Sequence, residues 1–247
     1  MSFAELHFHL LPGIDDGPRT LEESLALARA AVAEGTGTIV ATPHVHPAHV
    51  TDPAQIHEHV QMLAGHLRAA QIELDLRPGG ELAHSMVERL GQRDLELIAH
   101  GPPAGRWLLL EAAFDGLGPD FTATADELRA RGFGVVLAHP ERIARSPETR
   151  AALEHELDRG TVLQLTAGSI TGANGEAMRD LAFAQLRSAP MAVIASDAHG
   201  LHRMPALSKA LVSLAAAGVP EPSRFVLDVP RWLLEHGLPV GAPALAA

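Results

Sequence analysis

Seven short apolar or β-branched runs recur along this chain, most of them separated by helical patterns, and that alternation limits the fold more tightly than any other feature. The first run ends on His7 and His9. The second, Thr38–Thr42, leads into Pro43 and His44; the third alternates at Ile72, Leu74 and Leu76 before Pro78, Gly79, Gly80 and Glu81. Trp107–Leu110 meets Glu111, Gly134–Ala138 meets His139, Thr161–Thr166 runs into Ala167, Gly168 and Ser169, and Met191–Ala195 meets Ser196, Asp197 and His199. Between them, Thr20 and Glu23 make a capping-box pattern ahead of an apolar stripe at Leu21, Leu25, Ala28 and Val32 that Gly35 ends. Further helical patterns start at Pro53, with Ile56, Val60, Leu63 and Leu67 on one face, and run around Asp126–Arg131, Pro147–Arg159, Gly175–Ser188, Pro205–Ala217 and Pro230–His236. Such alternation predicts a parallel sheet, and seven units in 247 residues predict a closed or nearly closed barrel. An open doubly wound sheet is the second reading, because it would draw its site from fewer strand ends. No composition shift or long linker marks a boundary, so the chain reads as one domain over residues 1–247, with a loose Pro- and Ala-rich tail after about Leu238.

A parallel barrel keeps its chemistry at the carboxyl ends of its strands. Those ends carry a consistent residue type here. His7 and His9 are two apart on a strand and so share a face. Asp15 and Asp16 follow a Pro-Gly turn, and Glu81, Glu111, His139, Asp197 and His199 each stand where an apolar run stops. At the second strand either His44 or His46 fits. Each has a plain alternative: an acid before a helix is often a cap, and Asp or Gly beside Pro is often only a turn. An acid at the end of a buried strand such as Glu111, however, needs a partner. Helical His57, His59, His66, His155 and His236 read as surface residues, while His49, His84, His100 and His202 lie in loops.

Composition narrows the chemistry. There is no cysteine, which excludes disulfides, thiolate nucleophiles and Cys-type zinc sites, so a metal must be held by His, Asp and Glu. With 19 Lys and Arg against 30 Asp and Glu, the chain lacks the positive field that collects nucleic-acid phosphates. No stretch has the uninterrupted apolar length of a membrane span, and no signal-peptide pattern opens the chain, so a cytoplasmic protein without membrane insertion is expected. The joint candidates are His7, His9, Asp16, His44, Glu81, Glu111, His139, Asp197 and His199, too many for one ion and enough for two or three. A cluster of Mn, Fe or Zn ions suits such nitrogen and oxygen donors and supplies a hydroxide nucleophile. Arg142 and Arg203 lie just beyond two of these motifs, where a guanidinium can clamp a phosphate. Phosphate-ester hydrolysis is the natural chemistry.

The motifs HxH, LPGIDDGP, ATPH, GGE, LLLE, AHPER and SDAH, in this order and spacing, resemble the PHP (polymerase and histidinol phosphatase) superfamily. The likeness runs from Glu5 to about Leu234. It is greatest to the bacterial metal-dependent protein-tyrosine phosphatases that act on tyrosine kinases of capsule and exopolysaccharide synthesis, for which LPGIDDGP, AHPER and the Gln164–Ser169 stretch are the most diagnostic. The resemblance implies an α/β fold, a distorted seven-stranded (β/α)7 barrel, with a three-ion centre in which Mn is favoured over Fe or Zn. It places His7, His9, Glu81 and Asp197 on the first ion, Glu81, Glu111 and His139 on the second, and Asp16, His44 and His199 on the third, with Glu81 as the bridge. Arg142 and Arg203 match its phosphate-binding arginines, and it implies no covalent phosphoenzyme. Two positions depart from it: Glu5 stands where the family usually has Asp, which is expected to loosen a contact orienting His7, and His202-Arg203-Met204-Pro205 is a looser match around the second arginine.

The expected function is therefore a metal-dependent phosphatase acting on the phosphotyrosine tail of a membrane-associated bacterial kinase. A PHP phosphatase for a small metabolite such as histidinol phosphate uses the same site. A non-catalytic metal-binding regulator that recognises kinase tails or polysaccharide precursors is the third reading.

Overall fold

The structure, a computed structural model, describes residues 2–143 and 146–240. In chain order its elements are β1 (Phe3–Phe8), α1 (Leu21–Ala33), β2 (Thr36–Ala41), β3 (His44–Val45), α2 (Ala54–Ala69), β4 (Asp75–Pro78), β5 (Glu81–Ala83), α3 (Gln92–Ile98), β6 (Trp107–Glu111), α4 (Pro119–Ala130), β7 (Gly134–Ala138), α5 (Pro147–Asp158), β8 (Val162–Thr166), α6 (Ala167–Thr171), α7 (Glu176–Ser188), β9 (Ala192–Ala195), α8 (Leu207–Ala216) and α9 (Asp228–His236). The fold is α/β with parallel sheets. One sheet has the order β1-β2-β4 and the other β3-β5-β6-β7-β8-β9, every pair parallel.

Nine strands among the described residues, against seven expected, have a local cause. The second run breaks at Thr42-Pro43, where proline has no N–H to give the ladder, and the third at Gly79-Gly80, which lack side chains to pack. Each break lies immediately before a site residue, His44 or Glu81. Hydrogen bonds carry the sheets across: Thr42 N donates to Phe8 O (3.0 Å) and Glu81 N to Pro43 O (3.1 Å). At the other edges, Asp197 N donates to His7 O (3.0 Å) and His9 N to Ala198 O (2.9 Å), tying β1 to the chain leaving β9. The helix α3 and the first half of α4 were not legible in the sequence; Pro119 at the start of α4, after Gly118, is a helix-opening signal that the expected bounds passed over.

The strands are buried on both faces. Leu6, Val40, Trp107, Leu109, Val136, Ala138, Val162 and Val193 pack together on one face with Leu233 of α9, while Leu108, Leu110, Leu137, Leu163, Leu165 and Ile194 face the helices. That two-sided burial explains why β6 to β9 read as nearly continuous apolar runs. The helix α9 closes the amino ends of the strands: Trp107 Nε1 donates to Leu233 O (3.1 Å) and Leu238 N to Gly105 O (2.7 Å). At Gly237, with φ of 77°, a Cβ would overlap the Gly105 carbonyl, so only glycine permits this approach. Leu238 and Pro239 have no regular structure, and the rest of the expected loose tail, residues 241–247, lies outside the described residues. No helix among the described residues is long and apolar enough to cross a membrane.

Candidate metal centre

The centre begins with an irregularity in β1. Glu5 pairs with Ile39 and Phe8 with Ala41, so three steps on β1 oppose two on β2. Such a bulge re-aims side chains; His7 lies within it, His9 lies just beyond it, and both are completely buried. His7 Nδ1 donates to Gln164 Oε1 (2.7 Å), and His9 Nδ1 donates to Asp15 Oδ2 (2.7 Å). With the proton on Nδ1, each ring turns its Nε2 lone pair inward, the arrangement that outer carboxylates and amides impose on metal-binding histidines. The two Nε2 atoms face each other at 3.2 Å.

Glu81, at the start of β5, is the hub. Its Oε2 lies 3.1 Å from His7 Nε2, 3.3 Å from His9 Nε2 and 3.0 Å from His44 Nδ1, and its Oε1 is 2.8 Å from His139 Nε2. Burial works to raise the Glu81 carboxyl, but His7, His139 and His44 overcome it and hold the group well below the ordinary carboxylate range. Yet Glu81 Oε2 is buried with no hydrogen-bond partner, as is His139 Nδ1. Inward lone pairs from several imidazoles around an unpartnered carboxylate oxygen need a positive charge among them, so these residues fit a divalent cation.

Around the hub, Asp197 Oδ1 lies 3.3 Å from His7 Nε2. Glu111, at the end of β6, lies 3.7 Å from His44 and 3.8 Å from His139. Asp16 Oδ1 is 3.3 Å from His199 Nε2 and 3.5 Å from His44 Nε2. Four overlapping sets, each with donor atoms within 4.8 Å of one another, result: His9, Asp16, His44 and His199; His7, His139 and Asp197; His7, His9 and Glu81; and His44, Glu81 and Glu111. All nine residues singled out from the sequence fall in at least one set. Burial pushes the Glu111 carboxyl up and Glu81 adds to this, whereas Asp197, despite its burial, is held low by His7 and His139. His139 (φ 33°) and Asp197 (φ 49°) both occupy the left-handed region, a strained conformation for side chains of this size. His139 directly follows β7, and Asp197 follows β9 after Ser196.

Of the two histidines at the second strand, His44 falls in two of these sets. His46 joins none of the sets, and its Nδ1 accepts from Ala48 N (3.1 Å). Asp15 supports rather than belongs: its Oδ2 also accepts from His44 N (3.1 Å), and its Oδ1 from Gly17 N (3.0 Å). Glu5 requires a correction. It orients Ser196, not His7, accepting from Ser196 N (2.8 Å) and from Ser196 Oγ, while Ser196 Oγ accepts from Ala206 N (2.9 Å). The longer side chain thus reaches the next strand and ties both ends of the segment bearing Asp197, His199 and Arg203. Burial pushes the Glu5 carboxyl up to about 8 against the lowering effect of its Ser196 bonds. His7 is held instead by Gln164, a residue missed as functional, whose signal was one polar side chain in the apolar run VLQLT. His57, expected at the surface, is half-buried and bonds Leu97 O (2.7 Å).

Arg142 and Arg203 both reach the centre. Each places Nη1 2.9 Å from Asp197 Oδ2, and both line a cleft of about 420 Å³ with Phe114, Asn174 and Met178. A second cleft, of about 540 Å³, is bordered by His199, Asp16, Arg19, Leu201 and Met204.

Comparison with known proteins agrees with this geometry. The chain is 31% identical over 200 residues to tyrosine-protein phosphatase YwqE of Bacillus subtilis, covering 80% of this chain and 77% of that one. It is 22% identical over 240 residues to tyrosine-protein phosphatase CpsB of Streptococcus pneumoniae, covering 93% and 97%. A crystal structure from the work on YwqE and CpsB, described as unique metal-dependent tyrosine phosphatases, superposes with a TM-score of 0.84 at 27% identity over 99% of both chains. The phosphotriesterase homology protein of Escherichia coli shares the fold, with a TM-score of 0.60 at 12% identity over 93% of this chain and 97% of that one. The family described as capsular polysaccharide synthesis, CpsB/CapC, matches residues 3–220, and the chain belongs to that family.

Proposed function

We propose that the protein is a metal-dependent protein-tyrosine phosphatase whose substrate is the tyrosine-rich tail of a membrane-associated bacterial polysaccharide-synthesis kinase. One observation carries this reading: nine His, Asp and Glu side chains converge beside two arginines that meet on one of their carboxylates. The two sheets are then read as one distorted seven-unit barrel in a single cytoplasmic domain, with β2/β3 and β4/β5 as interrupted second and third strands.

Three ions, most suitably Mn, would be held by His7, His9, Glu81 and Asp197, by Glu81, Glu111 and His139, and by Asp16, His44 and His199. When bound, such ions supply a water-derived nucleophile and neutralise charge on the phosphoryl oxygens. The protein's own groups do the rest. Asp15 and Gln164 keep His9 and His7 in the tautomer that presents Nε2. Arg142 and Arg203 exchange part of their contact with Asp197 for phosphoryl oxygens and hold the ester in place. Without cysteine no thiolate attack is available, and a phenolate departs readily enough to need no strong general acid. Two separate clefts, one lined by Asp197 and the other by Asp16 and His199, suit an extended polypeptide better than a compact metabolite. Specificity constants for the Mn-loaded protein, measured side by side on phosphotyrosine peptides and histidinol phosphate, test the reading. A clear preference for the peptides is expected, and a preference for the metabolite overturns it.

A further inference from the structure

Of seven phenylalanines and two tryptophans in this chain, Phe114 is the one that stands exposed, with 51% of its surface in water. It lies on the loop that leaves β6 just after Glu111, where an apolar ring gains nothing from the core. Its neighbours are instead the polar groups of the site. The Arg142 guanidinium carbon lies 5.1 Å from the ring centroid, and the His139 ring lies 5.9 Å away at an interplanar angle of 28°. Phe114 also lines the 420 Å³ cleft whose floor holds Arg142, Arg203 and Asp197, and Met178, a half-buried thioether on α7, lines the same cleft.

We infer that Phe114, with Met178, forms an aryl subsite that selects aromatic phosphate esters over alkyl ones. This deepens the tyrosine-phosphatase reading and rests on it. A phosphoryl group on Arg142 and Arg203 puts the next atoms of its ester beside Phe114, one oxygen away. A phenyl ring there meets an aromatic partner and a polarisable sulfur, both of which favour ring contacts. A seryl or threonyl ester places only a methylene or methine at that point and leaves the Phe114 ring in water. Phe114 thus converts an exposed apolar surface, costly in the free protein, into a contact that only an aryl substrate completes.

Binding of non-hydrolysable benzylphosphonate and ethylphosphonate, in which a methylene stands for the ester oxygen, to the Mn-loaded protein, measured by calorimetry, separates this role from leaving-group effects. In the native protein benzylphosphonate is expected to bind about tenfold more tightly, the scale of one aromatic pair. Phe114→Leu is expected to bring that ratio close to one, and Phe114→Trp to keep it. If Phe114→Leu weakens both ligands equally, the ring serves only to pack Arg142 and the subsite is refuted, although phosphotyrosine hydrolysis by the native protein would still stand. If the native protein releases no phosphate from phosphotyrosine peptides, the underlying reading falls instead.

Discussion

The two ends of the strands are built from opposite materials. At the amino ends Trp107, Val162 and Met191 meet Leu233 and Trp232 of α9, and the largest residue there is fully buried with its one polar atom bonded to Leu233 O. At the carboxyl ends nine His, Asp and Glu side chains crowd together, with an unpartnered carboxylate oxygen at Glu81 and left-handed backbone at His139 and Asp197. The first end lowers the free energy of the fold by removing apolar surface from water. The second holds buried charge and strain that the first must offset, an imbalance expected where function rather than stability sets the residues.

Substitutions at the two ends should therefore separate activity from stability. Glu81→Gln is expected to reduce phosphatase activity well beyond the roughly 10–100-fold typical of partners outside the ligand set, while the metal-free protein stays folded by circular dichroism. Trp107→Ala is expected to cost about 3–5 kcal/mol in urea unfolding, with the remaining folded protein retaining its metal. Asp15→Asn, which weakens the acceptor for His9 Nδ1, should reduce metal affinity by roughly 10–100-fold at nearly unchanged stability; metal titration checks it.

A pH measurement probes the apolar region. His100 pairs its backbone with Trp107 and has a buried, unpartnered Nε2; burial, aided by Arg77, holds its imidazole down to about 3 from an ordinary 6.5. A depressed histidine contributes stability that is present above pH 6.5 and is lost as pH falls toward about 3, because only the unfolded chain takes up the proton in that window. At pH 5 this amounts to about 2 kcal/mol. His100→Gln should flatten that part of the acid limb in denaturant unfolding at pH 5 and 7. An unchanged slope would remove His100 as its source.

Much of the carboxyl end was legible because parallel strands put chemistry where apolar runs stop, and one residue after each run suffices to identify it. Glu111 and His139 show this directly. The strand breaks were less legible, since Pro43 and Gly79-Gly80 look like ordinary strand termini until the ladder is seen to resume beyond them. Side chains that act across the sheets were the hardest to read: Glu5 reaches Ser196, which lies 191 residues away in sequence, and Gln164 reaches His7 over 157 residues. Glu5 leaves no local pattern of its partner, and Gln164 leaves only one polar side chain in an apolar run. Phe114 carried no signal at all, because its meaning depends on Arg142 and His139 arriving beside it.

A metal centre at the carboxyl end must be organised on Glu81, whose two oxygens face four imidazoles. Anomalous diffraction at the manganese edge from Mn-grown crystals tests it most directly. Peaks within bonding distance of Glu81, shared with His7, His9 and His139, are expected; anomalous peaks that all lie away from Glu81, in a protein active on phosphotyrosine, would rule out Glu81 as the hub.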